Sequence, residues 1–171
     1  MSFIKHDNKP IYAPGHFLAH EECERQTRQF NQNSALVVTT DNGKYVPMGT
    51  AYPTNDGNAI GITYEDVDVT NGNMPGSVVT KGTVIEERLA ITGESYDAVT
   101  PETGANPQAE GWYERSGSAG AYVYTLTDDT SVQDGTTYYA RSDVKLASAA
   151  KTALAALGFK FVSEPAVTRP Y

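Results

Sequence analysis

Five groups of residues in this 171-residue chain have types and spacing that bear on chemistry. Asp66-Val67-Asp68-Val69-Thr70-Asn71-Gly72 sets carboxylates at alternate positions ahead of Asn-Gly, as the start of a calcium loop does. The glycine comes one residue late, however, and Ser77 stands where the bidentate Glu belongs, so the stretch reads as a polar strand face and a hairpin turn. His16, His20 and Cys23 would stack along one side of a helix and so invite zinc. No fourth ligand or HExxH pattern accompanies them, and a buried thiol with two surface imidazoles is the simpler reading, so neither a metal nor a cofactor is expected. Ser118 lies in a flexible SGSAG turn, and all three histidines lie in the first 20 residues, so no nucleophile, base and orienting carboxylate assemble. Glu65, Asp66, Glu86, Glu87, Glu110 and Glu114 are numerous enough to pair in space as a glycosidase needs, but in so acidic a chain they read as a solvated face. No catalytic residue is expected.

The remaining chemistry is aromatic. Trp112, Tyr113, Tyr122, Tyr124, Tyr138 and Tyr139 lie close together in sequence. Such a set gives large contact area with few rotors to freeze, which suits sugar rings or another protein, and Trp112, Tyr113, Tyr122 and Tyr124 are the candidates for an outward binding face. Alternating tyrosines also make the core of a small sheet, and both uses stay open. Acidic residues number 21 against 13 basic ones, and the net charge of -8 repels nucleic-acid phosphates and anionic membranes at long range. No stretch approaches the ~20 apolar residues of a membrane span. Cys23 is the single cysteine, and the segment MSFIKHDNKP lacks the apolar centre of a signal peptide, so folding in a cytoplasm is expected.

The elements that position these residues are short strands: the chain carries 15 Gly, 9 Pro and 11 Tyr, a turn-rich and β-rich composition. The organising stretch is residues 61–89. Ile62 and Tyr64 alternate, and Val67 and Val69 continue one residue out of phase, which predicts a bulge at Glu65-Asp66. Asn71-Gly72-Asn73 turns the chain into a second run, Ser77 to Ile85, with Gly82 marking close approach of a neighbouring backbone. Before it, residues 35–38 and 44–48 flank Asp41-Asn42-Gly43 as a hairpin. Residues 1–33 read as an N-terminal arm with a short helix somewhere in HFLAHEECERQTRQF. Its few apolar anchors scarcely offset ~1–2 kcal/mol of ordering cost per residue, so much of it is expected to order against a partner, with packing on its own domain as the alternative. Residues 92–111 read as a loop. Residues 111–140 hold three short strands. A C-terminal helix is expected from a Ser142 cap to Gly158, with Leu146, Ala150, Ala153, Leu154 and Leu157 on one face, followed by a strand at 159–162 and an extended tail. The expected fold is mainly β with one packed C-terminal helix: a small β core at 34–91 and 142–171, an insertion at 92–141 and the arm.

The pattern GIxYEDVDVTxG, then VVxxGxVxExRL, then an Ala-rich helix ending in Leu157-Gly158-Phe159, resembles the lambda-type head decoration proteins of tailed bacteriophages. The likeness covers residues 34–91 and 142–162. The inserted NPxxEGWYE and YTLTxDTxVQxGxTYY segments resemble a Tyr-rich module of structural proteins in phages of Gram-positive bacteria. The resemblance implies a non-enzymatic virion protein that binds the outer surface of the expanded head as a homotrimer, contacts the major capsid protein and stabilises the shell by bridging capsomers. Phe3, Ile4, Tyr12, Phe17 and Leu18 of the arm are the expected capsid contacts. The other reading is a fibre or adhesin subunit whose Tyr-rich module binds host surface glycans.

Overall fold

The turn residues of these hairpins and the β-branched runs between them are what the backbone builds into sheets. The structure is a computed structural model describing residues 12–164, so Phe3, Ile4 and the expected tail from Pro165 lie outside the described residues. In chain order, β1 is Glu24–Phe30, β2 Val38–Thr40, β3 Gly43–Val46, β4 Ala51–Tyr52, β5 Gly61–Thr63, β6 Val67–Asp68, β7 Met74–Lys81 and β8 Thr83–Ile85. After a 3-10 turn at Glu86–Arg88 come β9 Gly93–Ala98, helix α1 Pro107–Glu110, β10 Tyr113–Ser116, β11 Val123–Leu126 and β12 Tyr138–Val144. Helix α2, Ser148–Ala156, and β13, Lys160–Val162, complete the order. The fold is mainly β with one packed C-terminal helix, as the sequence predicts. The chain divides into two compact units, one from residues up to Thr92 together with those from Lys145 onward, the other Gly93–Val144.

In the first unit β7 is central. It pairs antiparallel with β1 on one side and β5 on the other, in the sheet order β1-β7-β5-β4. Its alternation sends Val79 into one buried cluster, with Phe17, Ile62, Val84, Leu89, Ala150, Leu154 and Phe159, and Val78 into another, with Phe30, Val46, Val67 and Val69. The phase change expected as a bulge at Glu65-Asp66 is instead a crossing between sheets: β5 stays beside β7, while β6 pairs with β3 in the order β2-β3-β6. The hairpin at Asp41-Asn42-Gly43 forms with Val38 opposite Tyr45, later in its first strand than the apolar run from Ala35 suggests. Gly82, between β7 and β8, is approached by side chains, since a Cβ there would sit 3.3 Å from that of Cys23. Gly76 is the tighter site, with the Phe30 ring 2.7 Å from where a Cβ would stand.

The N-terminal segment departs from the expected helix. The segment HFLAHEECERQTRQF holds no helix; a turn at Pro14–Phe17 leads into β1, which pairs with β7 along its length. Residues 15–19 are sewn to the same unit by Gly15 N–H to the Tyr64 carbonyl at 2.8 Å, Ala19 N–H to Thr83 at 2.9 Å, and Ile85 N–H to Phe17 at 2.8 Å. Phe17 is fully buried and Phe30 nearly so, hence among the described residues of this segment packing and backbone bonds within the unit, the alternative named above, offset the ordering cost.

The helix begins at Ser148, not at Ser142, because Ser142 and Asp143 continue β12 opposite Ser95 and Glu94. No side chain caps the first turn, and Asn55 instead anchors the residue just before it. Its side-chain oxygen accepts from Ala147 N–H at 2.9 Å, although the two residues are 92 apart in sequence. At the other end Gly158 has φ +98°, with Gly158 N–H bonded to Ala155 O at 3.0 Å and Phe159 N–H to Leu154 O at 3.1 Å, the paired bonds of a Schellman stop. Ala150 and Leu154 are buried, while Leu157, expected on that face, is 49% exposed past the helix end. β13 then runs parallel to β8, Phe161 opposite Val84.

The second unit is one antiparallel sheet in the order β11-β10-β12-β9. The expected loop at 92–111 contains its fourth strand, β9, and the short α1, capped by the Asn106 side chain accepting from Ala109 N–H at 3.1 Å. Sparse apolar residues hid β9, whose Glu94, Tyr96 and Ala98 pair across to Asp143, Arg141 and Tyr139.

Candidate functional site

Alternation on the four strands of the second unit sorts its aromatics onto two faces. Tyr113 lies opposite both Leu126 and Tyr139, Arg115 opposite Tyr124, and Arg141 opposite Tyr96, so these residues share one face. Glu114 lies opposite Thr125 and Tyr138 on the other.

The Glu114 face is the unit's own core. Tyr138 is fully buried, Trp112 packs on it at 5.8 Å between ring centroids, and Pro107 and Thr127 are buried. The Tyr138 hydroxyl donates to Asp129 Oδ2 at 2.6 Å and accepts from Gln133 N–H at 3.0 Å, while the Thr127 hydroxyl donates to Glu114. Burial, and then the bond to Asp129, push the Tyr138 hydroxyl above the ordinary tyrosine pKa. Trp112, a sequence candidate for outward contact, therefore serves the inside of this unit.

The opposite face carries Tyr113 and Tyr124 from the candidate set, with Tyr122 just before β11. Tyr96, which the sequence reading missed because it fell in the supposed loop, joins them. The Tyr96 and Tyr124 rings stack at 3.9 Å with planes 4° apart; Tyr113 meets Tyr96 edge-on at 5.2 Å, and Tyr139 meets Tyr124 at 5.3 Å. The Arg115 guanidinium sits 4.2 Å over Tyr122 and 4.9 Å over Tyr139. Arg141 bridges Glu94 at 2.7 Å and Asp143 at 3.3 Å, and the Tyr113 bond and the Glu94 charge hold its guanidinium more firmly protonated. The Glu94 carboxylate accepts from the Tyr96 hydroxyl and raises its pKa. Part of the ring surface that a stacked sugar would need is thus taken up by neighbouring rings and by Arg115. What stands out to solvent is the β11 edge, where Tyr122, Val123 and Leu126 are 42%, 59% and 55% exposed.

In the first unit the arm candidates separate. Phe17 is buried in the main core and Leu18 is partly buried against it, bridged to Val84, so both hold the segment to its own unit. Tyr12 is 52% exposed and stacks on His16 at 4.1 Å. An open groove of about 610 Å³ beside them is lined by His16, His20, Cys23, Arg25, Tyr64 and Arg88 among others. Arg25 lies 4.3 Å over the Tyr64 ring, and Arg88 donates to the His16 carbonyl at 3.3 Å and to Glu164 at 2.6 Å. With no helix at 16–23, the stacking that suggested zinc is lost, and no group of three His, Cys, Asp or Glu fit to hold a metal occurs among the described residues. At the Asp66–Gly72 turn the carboxylates serve the backbone: Asp66 accepts from Met48 N–H at 2.7 Å and Asp68 from Thr70 N–H at 2.9 Å. No family model, curated protein or solved structure matches the chain.

Proposed function

We propose that this chain is a non-enzymatic head decoration protein of a tailed phage, which binds the outer surface of the expanded capsid and bridges its capsomers. The observation that supports this reading is how the two resembling blocks meet. β8 from the first block pairs in parallel with β13 from the second, and Ala150 and Leu154 of α2 join the cluster of Ile62, Val79 and Val84. Blocks separated in sequence by Gly93–Val144 thereby form one core, as a single decoration fold interrupted by an insertion requires. A homotrimer seated where several capsid subunits meet touches them at once, so modest contacts combine through effective concentration and oppose internal pressure.

Of the expected capsid contacts, Phe3, Ile4 and Tyr12 remain the ones to test, since Phe17 and Leu18 are spent on the core. The deciding experiment mixes purified protein with expanded, undecorated heads of the phage that carries it, sediments them and counts bound copies per capsomer. Saturable binding at a fixed ratio is expected, and replacing Phe3, Ile4 and Tyr12 together by Ala should lower occupancy at unchanged fold. Absence of sedimenting protein would overturn the reading.

A further inference from the structure

Strand β1 is the edge of its sheet and the longest edge in the first unit. Among the described residues it pairs with β7 alone. All six residues from Glu24 to Gln29 are exposed, so both faces of the strand meet solvent. At its two ends the Glu24 carbonyl accepts from the Thr80 hydroxyl at 3.4 Å and the Gln29 carbonyl from the Tyr52 hydroxyl at 3.0 Å, which leaves the stretch Arg25 to Arg28 for a new partner. The opposite edge, β4, is two residues long and runs into Pro53. Short strands, bulges, prolines and charged side chains are the usual means of blunting an edge, and of these β1 relies on its charges, Glu24, Arg25 and Arg28. β1 has no proline, and its one irregularity of register lies at its first residue, between Glu24 and Arg25.

We propose that the outer edge of β1 is a self-pairing surface: two copies of the chain join β1 to β1 antiparallel, with Gln26 opposite Gln26. In a two-fold antiparallel pair, outward-pointing residues must meet outward-pointing residues, so one residue faces its own copy at the centre. The strand offers four useful centres, and the charges discriminate between them. A centre at Arg25 or Arg28 sets like charges opposite each other, which destabilises. A centre at Thr27 pairs Arg25 with Gln29 and Gln26 with Arg28, with no opposite charges. The centre at Gln26 sets Glu24 opposite Arg28 twice, and Arg25 opposite Thr27. Within one copy Arg28 bonds only the Gln26 side chain at 2.5 Å among the described residues, and Lys81 lies 3.7 Å from Glu24. Self-pairing therefore extends a row of alternating charge, Lys81, Glu24, then Arg28 of the second copy. So small a contact falls well below the roughly 1,200 Å² of a stable interface, and it gains strength where copies are already held side by side. The inference stands apart from the decoration reading, since it needs no capsid.

The test uses the full chain with Cys23→Ala, so that any added cysteine is the only one. Opposed residues in such a pair have Cβ atoms about 4.5–5.5 Å apart, near disulfide reach after small adjustment. Under mild oxidation Gln26→Cys is expected to give a covalent dimer whose yield rises with protein concentration. Thr27→Cys, equally exposed and checked for the same circular dichroism, should dimerise at least several-fold more slowly because it faces Arg25. Adding Glu24→Arg to the Gln26→Cys chain should slow dimerisation by a similar factor, and adding Arg28→Glu as well should restore it. A Gln26→Cys chain that stays monomeric, as it would if β1 instead received an extended strand of another protein, overturns the proposal. So does equal cross-linking at position 27, or indifference to charge reversal.

Discussion

Thr50 and Tyr138 show how differently two buried hydroxyls are treated. The Thr50 side-chain oxygen is buried without a hydrogen-bond partner among the described residues, whereas the neighbouring Thr63 hydroxyl donates to the Thr50 carbonyl at 3.1 Å. An unsatisfied buried hydroxyl costs about 1–3 kcal/mol, so Thr50→Val, which keeps the shape and removes the oxygen, is expected to stabilise the protein by about 1 kcal/mol. Chemical denaturation measures it, and a lower midpoint for Thr50→Val would contradict it. Tyr138 is bonded on both sides, and its pKa is raised by burial and by Asp129. In the unfolded chain it ionises near the ordinary value of about 10, before the folded chain does, so its contribution to stability is complete below that pH and is lost as pH rises toward the folded value. Trp112, the only tryptophan, packs against it and reports its unit by fluorescence. The denaturation midpoint read at Trp112 should fall as pH rises above about 10, and fall less steeply in Tyr138→Phe.

Helix α2 is held less by its own propensity than by two remote supports, the Asn55 side chain at its start and the core under Ala150 and Leu154. Nine residues make a marginal helix in isolation, so removing the buried face should unfold it together with the sheet. Leu154→Ala is expected to cost about 2–5 kcal/mol in a single cooperative transition, while Leu157→Ala, at an exposed position, should cost under about 0.5 kcal/mol. Equal effects would place the helix differently on the core. The contrast marks what sequence could reveal about elements. Periodicity found α2, Gly158 found its end, and Asn42-Gly43 found the β2-β3 hairpin, because each is a local rule, whereas Asn71-Gly72, expected as a hairpin turn, joins β6 to β7, which pair in different sheets. The helix start was hidden because no side chain caps it and its anchor, Asn55 on the Ala147 N–H, is far along the chain. β1 was hidden because ERQTRQF has no apolar alternation and owes its conformation to β7. In the aromatic unit, sequence located the cluster but not its two faces, since those depend on which strands pair, and Tyr96 was lost with β9.

At the scale of the molecule, the question is whether Gly93–Val144 is a separable insertion. Its first and last residues, Gly93 and Val144, are paired across β9 and β12, so the chain returns to where it left. Just outside that pair the first unit binds the two ends to each other. The Thr92 hydroxyl donates to the Lys145 carbonyl at 3.0 Å, and the Asn55 amide donates to Thr92 Oγ1 at 2.8 Å and to the Lys145 carbonyl at 3.4 Å. Antiparallel partners stand about 4.5–5.5 Å apart at Cα, a gap that a short Gly-Ser turn closes without strain. Replacing Gly93–Val144 by such a turn should therefore leave the first unit folded, with stability changed by no more than about 1 kcal/mol, because closure entropy varies slowly with loop length. Circular dichroism and denaturation would read this directly. A molten or insoluble product would mean that the inserted unit is needed to complete the first. With the fold intact, the same protein added to undecorated heads divides the labour. Retained occupancy would assign adhesion to the first unit and leave the tyrosine face for another task, whereas lost occupancy would put the capsid contact on the insertion.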